Sequence, residues 1–374
     1  MSLFDPRVLG AAPAGLRRER IEASPRFRNG KFHNTEPLRG TLEGQPLDKR
    51  LSIVGEFFFG RAGRSPKAPL SVESPLEAWQ RPCETGLRAT WLGHSTVLLE
   101  IDGVRVLTDP VFAHRASPVS WTGPERFHRT PATVAELPPL DAVIVSHDHF
   151  DHLCYETVRA LVKRDVTFVT SLGVGAHLEA WGAHPSRVVE LDWWEKATVG
   201  GGRLEVMAAP SRHFSGRGTG ANRTAWSSFV LEGRRHRVFF SGDTGLTPEL
   251  ETIRARAGAF DLVMLEIGAF HPAWGQIHLG PENALVAHRM LGGGALLPVH
   301  WGTFDLGLHP WEEPAEILAS RAAESKVHLL TPRIGRVIEP SRVEALDPWW
   351  RDELSRHRAI EPASARWRLE PTPP

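Results

Sequence analysis

The chain has 374 residues, of which 41% are hydrophobic and 24% are charged, a composition that is ordinary for a globular protein. Its 44 Lys and Arg residues are balanced by 44 Asp and Glu residues, so charge gives no support to a nucleic-acid partner and we expect none. With two cysteines we expect no disulfide framework and a reducing compartment. The N-terminus does not read as a signal peptide and no apolar run approaches roughly 20 residues, so a cytoplasmic location is expected.

Residues 1–80 are rich in Arg, Gly and Pro and have little periodicity, so we expect an N-terminal extension that packs on the main body. Within it, residues 53–59 form an apolar cluster that is followed by Arg61, Arg64 and Lys67. One interpretation is a helix or strand docked on the core. The other is an element at a membrane surface, where apolar residues enter the lipid and the cations meet anionic headgroups.

From residue 86 onwards, short apolar or alternating runs separated by turns are typical of a β-meander. Further along, strand and helix patterns alternate, which fits two mixed sheets covered by outer helices. Predicted strands span 87–92, 96–101, 104–107, 141–145, 167–170, 188–191, 204–208, 227–231, 238–241, 262–267, 295–299 and 327–330. Predicted helices span 155–163, 174–181, 248–256, 281–290 and 314–324. We expect a main domain over 81–345 and a C-terminal tail over 346–374.

The densest group of metal-type side chains follows the predicted strand 141–145. Here His147, His149, Asp151 and His152 occur within six residues, and a buried strand is expected to deliver them to a sheet edge. Imidazole and carboxylate groups at this spacing suit a divalent metal such as zinc. His147 and His149 would bind one ion, while Asp151 and His152 would bind a second.

Three later strand ends carry the same types of residue. His213, Asp243 and His300 each follow an apolar strand. Because strand ends on one edge of a layered α/β fold converge on a shared crevice, we expect these residues to join the same site. Gly242 and Gly245, on either side of Asp243, would let the backbone turn tightly beside the metals.

This ordered set of residues resembles the ligand set of the metallo-β-lactamase superfamily. Within the superfamily, the chain looks most like N-acylphosphatidylethanolamine-hydrolysing phospholipase D and its bacterial relatives. The matching sequence motifs lie between about residues 88 and 310: Trp91-Leu92-Gly93-His94-Ser95-Thr96, Thr108-Asp109-Pro110, Arg115-Ala116-Ser117-Pro118, Gly123-Pro124, Leu191-Asp192-Trp193-Trp194-Glu195, Gly242-Asp243-Thr244-Gly245 and His300-Trp301-Gly302-Thr303-Phe304. The ligand motif specifies only the superfamily. The tryptophan-containing motifs at residues 191–195 and 300–304 narrow the resemblance to the phospholipase-like branch.

The resemblance implies a four-layer αβ/βα sandwich, an α/β fold of two mixed β-sheets flanked by helices. It also implies a dinuclear zinc site on one edge, with other divalent transition metals as alternatives. One zinc would be held by His147, His149 and His213, the other by Asp151, His152 and His300, and Asp243 would bridge them.

A further histidine, His278, matches one that sits beside the metals and assists catalysis in this branch. Asp151 and Asp243 would take part in catalysis through the metals that they hold. The chain departs from the family near His278, because Gly280 replaces the usual acidic or amide residue before the proline. In addition, Gln276 lies one place further from the histidine than in the family.

Three other polar residues near the motifs have expected roles outside direct ligation or catalysis. His94 and Asp109 are expected to orient metal ligands. Asp148 lies inside the histidine-rich segment but matches a variable position, so we expect that it is not a ligand.

The activity implied by the resemblance is that of a zinc-dependent phosphodiesterase of the phospholipase D type. Water activated by the metals would attack phosphorus in an N-acylphosphatidylethanolamine-like lipid and release an N-acylethanolamine and phosphatidic acid. The implied partner is a phospholipid or another small phosphodiester, while peripheral membrane contact and a homodimer stay open. Two alternatives are a metal-dependent lactonase that acts on a sugar phosphate and a metal-stabilised binding module without turnover.

Overall fold

The computed structural model describes residues 5–38, 46–59, 63–218, 220–271, 274 and 276–360. The strands are β1 (Phe27–Arg28), β2 (Lys31–Phe32), β3 (Leu87–Gly93), β4 (Thr96–Ile101), β5 (Val104–Thr108), β6 (Ala142–Val145), β7 (Thr167–Ser171), β8 (Val188–Leu191), β9 (Lys196–Val199), β10 (Leu204–Ala209), β11 (Gly216–Arg217), β12 (Gly220–Ala221), β13 (Ser228–Glu232), β14 (Arg237–Phe240), β15 (Leu262–Glu266), β16 (Ala295–Val299) and β17 (Val337–Ile338). The helices are α1 (Gly15–Glu22), α2 (Leu47–Phe59), α3 (Leu76–Trp79), α4 (Tyr155–Leu161), α5 (Gly175–Ala180), α6 (Glu249–Ala257), α7 (Gly280–Met290), α8 (Glu313–Glu324) and α9 (Trp349–Ile360). Short 3₁₀ turns occur at Pro6–Leu9, Val134–Glu136, Pro185–Arg187 and Pro340–Arg342.

Two mixed sheets form the centre of the molecule. The first has the strand order β17-β3-β4-β5-β6-β7-β8, and the second has the order β16-β15-β14-β13-β10-β9. In the first sheet the pairs from β5 to β8 are parallel, and in the second the pairs β14–β15 and β15–β16 are parallel. The predicted α/β fold with two mixed sheets flanked by helices is therefore confirmed.

Strand direction explains where the polar strand ends meet. β3 and β5 are each antiparallel to β4, so β3 runs in the same direction as β5 and β6. In the second sheet, β10 and β14 are each antiparallel to β13, so β10 runs in the same direction as β14, β15 and β16. The carboxyl ends of these co-directional strands therefore share an edge within each sheet, and the polar residues that follow them can gather in one crevice.

One continuous hydrophobic core lies between the sheets and includes buried residues of both, among them Val97, Val106, Phe229 and Val263. The core extends to the C-terminal helix α9, whose Trp349 is 1% exposed. Three tryptophans stack in series at this point, because the ring of Trp301 lies 5.2 Å from that of Trp91 and 5.3 Å from that of Trp349.

Most predicted elements occur within a few residues of their expected bounds, but one predicted strand is wrong. Residues 327–330 do not form a strand, and only Leu329 makes an isolated parallel bridge, to Leu296. The chain continues from Leu330 into Thr331 and Pro332, and proline has no amide hydrogen with which to extend a ladder. Helix α9 and the edge strands β9 and β17 were not predicted.

The described part of the N-terminal extension packs against the first sheet and its helices. Arg17 Nε lies 2.5 Å from Glu190 Oε2, and Arg26 forms a 2.6 Å ion pair with Asp192. Trp181 Nε1 donates a hydrogen bond to the carbonyl of Arg7. The proposed boundaries of extension, main domain and tail stay predictions.

The apolar cluster at 53–59 belongs to helix α2, and Ile53 is buried. The side chains of residue 54 and residues 56–59, and the whole of Arg61, lie outside the described part. Of the cations that the membrane-surface interpretation would place at lipid headgroups, Arg64 has a buried guanidinium that pairs with Asp305 at 2.7 Å. Among the described residues, no helix combines the length and the apolarity that crossing a bilayer requires.

Candidate metal centre

The carboxylate of Asp243 is the meeting point of four histidines from three loops. Its Oδ2 atom lies 3.8 Å from Nε2 of His147 and 3.1 Å from Nε2 of His152. The same oxygen lies 3.5 Å from Nε2 of His213 and 3.2 Å from Nε2 of His300. These residues follow β6, β10, β14 and β16, so the ends of both sheets contribute.

The first half of the site contains three histidines beside Asp243. His149 Nδ1 lies 2.8 Å from His147 Nε2 and 3.4 Å from His213 Nε2. Ligand atoms of these three residues and Asp243 all lie within 4.8 Å of one another. Nitrogen atoms this close and facing one another are typical of a set that surrounds a cation.

The second half is centred on Asp151. Its Oδ2 atom lies 3.3 Å from Nε2 of both His152 and His300. The same oxygen lies 3.0 Å from Nε2 of His94, a residue that was expected only to orient ligands. His94 thus touches Asp151 directly, and it belongs to the second group of candidate ligand atoms within 4.8 Å.

Several atoms at the centre are buried and, within the described ranges, make no hydrogen bond. They are Oδ1 of Asp243, Nε2 of His152 and both ring nitrogens of His300. A buried polar atom without a partner costs roughly 1–3 kcal/mol, so such a group calls for a ligand. Imidazole nitrogen and carboxylate oxygen are the donors that a divalent transition metal takes, and the donor set therefore fits metal ions.

The ionisation of the site favours the same conclusion. Burial disfavours imidazolium and holds the pKa of His147 well below its usual value. Burial also acts to lower the pKa of His300, but the charge of Asp243 and the nearby carboxylate of Asp151 outweigh it and raise that pKa to about 10. For Asp243, burial acts to raise the pKa, yet the charges of His152 and His300 hold it well below the usual range. The buried carboxylate of Asp243 thus favours cationic partners, which is the role that a metal ion would fill.

Asp109 lies behind His152, as expected of a residue that orients a ligand. Its Oδ2 atom lies 2.7 Å from Nδ1 of His152, while the backbone amide and hydroxyl of Ser146 donate to its two oxygens. Nε2 of His152 is thereby directed at the centre. The second ring nitrogen of His213 is held in the same way, since its Nδ1 lies 2.9 Å from the carbonyl oxygen of Ile277.

Asp148 lies in the histidine-rich segment but points away from the candidate ligands. Its carboxylate accepts hydrogen bonds from the amide of Gly216 at 2.7 Å and the hydroxyl of Thr224 at 2.8 Å. Nε2 of His177 approaches it at 3.4 Å. Asp148 therefore fixes the loop rather than facing the centre.

Backbone geometry around the centre depends on glycine at two positions. Gly242 has φ +53°, and a Cβ there would lie 2.6 Å from Cβ of Ser146. A Cβ on Gly245 would lie only 1.6 Å from the carbonyl oxygen of Gln276. His94 and His300 also have positive φ, a strained conformation for histidine that is typical of functional sites.

His278 lies between the two halves of the site. Its ring is 5.2 Å from that of His213 and 5.3 Å from that of His300. Its Nδ1 atom makes a 2.6 Å hydrogen bond with Oε2 of Glu266, a residue that was not predicted. Burial raises the pKa of the Glu266 carboxyl, and the charge of His278 acts against this. The sequence feature that could have identified Glu266 is its position at the end of an apolar strand, close to where the candidate ligands occur on their strands.

Asn34, in the N-terminal extension, was also missed. Its side chain makes two hydrogen bonds with the backbone of His213. Nδ2 donates to the carbonyl oxygen of His213 at 2.8 Å, and Oδ1 accepts from the backbone N–H of His213 at 3.1 Å. The same oxygen accepts from Nε1 of Trp226. A single asparagine in an irregular segment gives no pattern that would predict this contact.

Comparison with known proteins agrees with this geometry. A family model described as a beta-lactamase superfamily domain matches residues 104–301, more than half of the chain. The chain belongs to the metallo-β-lactamase superfamily. An uncharacterized protein of Mycobacterium tuberculosis is 46% identical over 351 residues, 92% of each chain. N-acyl-phosphatidylethanolamine-hydrolyzing phospholipase D 1 of Caenorhabditis elegans is 34% identical over 276 residues, 69% of this chain and 77% of that protein.

A solved structure extends the comparison to the fold. Igni18, a metallo hydrolase of the archaeon Ignicoccus hospitalis, matches with a TM-score of 0.53 at 20% identity, over 67% of this chain and 97% of that chain. At this identity the likeness concerns the fold. The superfamily and the histidine and aspartate clusters identify the chain as a metal-dependent hydrolase of the metallo-β-lactamase superfamily, and the fold agrees with this.

Proposed function

We propose that the protein is a phosphodiesterase of the phospholipase D type that cleaves N-acylphosphatidylethanolamine-like lipids. The observation that carries this proposal is the match to a nematode enzyme of that name, which reaches 34% identity and 77% of that enzyme's length. The family model matches residues 104–301, a range that includes all seven candidate ligands. Phosphodiester hydrolysis is a reaction for which paired metal ions are well suited.

The proposed cofactor is a pair of zinc ions. One would be held by His147, His149 and His213, the other by Asp151, His152 and His300, with Asp243 between them. When bound, such ions supply an activated water and polarise the phosphoryl oxygen. The short contacts of all four histidine Nε2 atoms to a single oxygen of Asp243 support its role as the bridge.

The reaction adds the oxygen of water to phosphorus and breaks the bond from phosphorus to the oxygen of the N-acylethanolamine. That oxygen takes a proton as it leaves, and phosphatidic acid is the second product. His278 is the proposed proton donor, since its ring lies beside that of His213 in the first half of the site and that of His300 in the second. Asp151 and Asp243 would contribute to catalysis by holding the ions in position.

We also propose that the protein contacts the membrane in which such a lipid resides. Helix α2 supports this idea, because Leu47 and Leu51 are one turn apart and are 68% and 63% exposed. Lys49 and Arg50, also exposed, lie beside them. An apolar pair flanked by cations suits the interface of an anionic bilayer.

Metal analysis combined with a substrate panel tests the proposal. Purified protein should contain about two zinc ions per chain and should hydrolyse N-acylphosphatidylethanolamine in mixed micelles. Asp243→Asn and His149→Ala should each lose at least about 100-fold in kcat/KM together with metal, whereas exposed His184→Ala should change neither.

The panel should also include a simple phosphodiester and a sugar-phosphate lactone. Preferential turnover of the lactone would favour the lactonase alternative instead. Bound zinc without turnover of any substrate would favour a binding module, and full activity after verified metal removal would overturn the metal-dependent mechanism.

A further inference from the structure

The pair formed by Glu266 and His278 carries an inference beyond the metal ligands. Glu266 is the last residue of β15, its side chain is 0% exposed, and a buried carboxylate is costly unless it is paired. Its Oε1 atom accepts a 2.6 Å hydrogen bond from the amide of Thr244. Its Oε2 atom lies 2.6 Å from Nδ1 of His278, which is its ion-pair partner within the described residues.

This contact decides which nitrogen of His278 is available for chemistry. A carboxylate only accepts hydrogen bonds, so the hydrogen in the contact belongs to Nδ1 of His278. The remaining nitrogen, Nε2, is then the one available to exchange a proton. The His278 ring lies beside the centre, with its centroid 5.2 Å from that of His213 and 5.3 Å from that of His300. Holding one ring nitrogen is the ordinary way in which proteins set the orientation of a functional histidine.

A third metal ion is the competing interpretation, since Asp243, Glu266, His278 and His300 offer ligand atoms within 4.8 Å of one another. Both oxygens of Glu266, however, already accept hydrogen bonds, from Thr244 and His278. A donor on Nδ1 that faces the carboxylate cannot at the same time be a metal ligand. The geometry therefore favours orientation of the histidine.

We propose that Glu266 is a positioning residue that holds His278 with Nδ1 toward the carboxylate and Nε2 toward the leaving oxygen of the substrate. The inference rests on the proposed phosphodiesterase function. In the step, the imidazolium form of His278 gives the proton on Nε2 to the oxygen whose bond to phosphorus breaks and becomes the neutral Nδ1–H tautomer. The proton lost by the attacking water restores the imidazolium through solvent, and no oxidant or reductant is involved. Because an acid helps most when the leaving oxygen is basic, loss of Glu266 should matter most for alkyl leaving groups.

Two substrates therefore separate positioning from general damage. With an N-acylphosphatidylethanolamine, whose leaving group is an alkoxide, Glu266→Gln and His278→Ala should each reduce kcat by about 100-fold or more. With bis(p-nitrophenyl) phosphate, whose leaving group needs no proton, the reduction should stay within about 5-fold. Zinc content should be unchanged in both variants. Glu353→Gln, which changes a buried glutamate of α9 that pairs with Arg356, is the matched control and should affect both substrates equally.

The tautomer of His278 gives a readout that does not depend on activity. Two-bond ¹H–¹⁵N spectra of zinc-loaded, ¹⁵N-histidine-labelled protein, assigned with His278→Ala, should show the hydrogen on Nδ1 in the wild type and a changed pattern in Glu266→Gln. A hydrogen held on Nε2 alone, equal losses on both substrates, or loss of zinc from Glu266→Gln would overturn the proposal. If no phosphodiester is turned over, the proposed function fails while the spectra still test the orientation of His278.

Discussion

At the scale of single residues, the site depends on which side chains stand behind the candidate ligands. The structure brings the seven predicted residues together, and their role as ligands stays a prediction. These residues could be predicted as a site from the sequence, because imidazole and carboxylate groups follow apolar strands. The role of Asn34 could not be predicted, because it depends on hydrogen bonds to the backbone of His213, a residue far along the chain. Glu266 was readable in principle as a charge at a strand end, but one glutamate there is not distinctive.

Asp109→Asn tests the support behind His152. The new amide presents a donor where Asp109 accepts from Ser146 and faces Nδ1 of His152, so one of these contacts must fail. We expect zinc affinity to fall by about 10–100-fold, measured by competition with a chromophoric chelator. Asp102→Asn is the matched control, since Asp102 pairs with His236 away from the candidate ligands. Equal zinc affinity in Asp109→Asn and the wild type would contradict this role.

At the scale of elements, the strand pattern was predictable because burial on both faces makes strands such as β6 and β15 continuously apolar. Elements at the margins were harder to predict. Strand β17 has two residues, and its identity as a strand depends on pairing with β3, which no local pattern reveals. Residues 327–330 are as apolar as a strand, yet the second sheet takes only the bridge at Leu329.

The N-terminal extension supplies an element-scale prediction, because it reaches the centre through Asn34. Asn34→Ala removes both hydrogen bonds to the backbone of His213 and leaves Nε1 of Trp226 with one acceptor fewer. We expect a stability loss of about 1–3 kcal/mol and weaker binding of one zinc equivalent. Urea denaturation and zinc titration measure the two effects. His33→Ala is the control from the same segment, since its ring hydrogen-bonds with the carbonyl of Arg28 rather than with a candidate ligand. Unchanged zinc binding would show that the extension does not position His213.

At the scale of the whole molecule, the candidate ligands join two sheets that otherwise meet through the apolar core. His147, His149, Asp151 and His152 come from the first sheet, while His213, Asp243 and His300 come from the second. Metal ions held by both groups would link the open edge of the sandwich. The same buried groups without ions leave unpartnered atoms, so metal binding and folding are expected to be coupled.

Chelation tests this coupling. A ligand present at about 1,000 times its dissociation constant stabilises the folded state by about 4 kcal/mol. Removing zinc should therefore lower Tm by about 5–10 °C, measured by calorimetry on the same sample before and after dialysis against a chelator. Restoring zinc should recover the transition, which separates metal loss from irreversible damage. Asp243→Asn should already melt at the lower temperature and respond little to chelator, because the variant lacks the carboxylate proposed to bridge the ions. If metal removal is verified and Tm does not change, the ions do not link the two sheets energetically, and the core alone sets the stability of the fold.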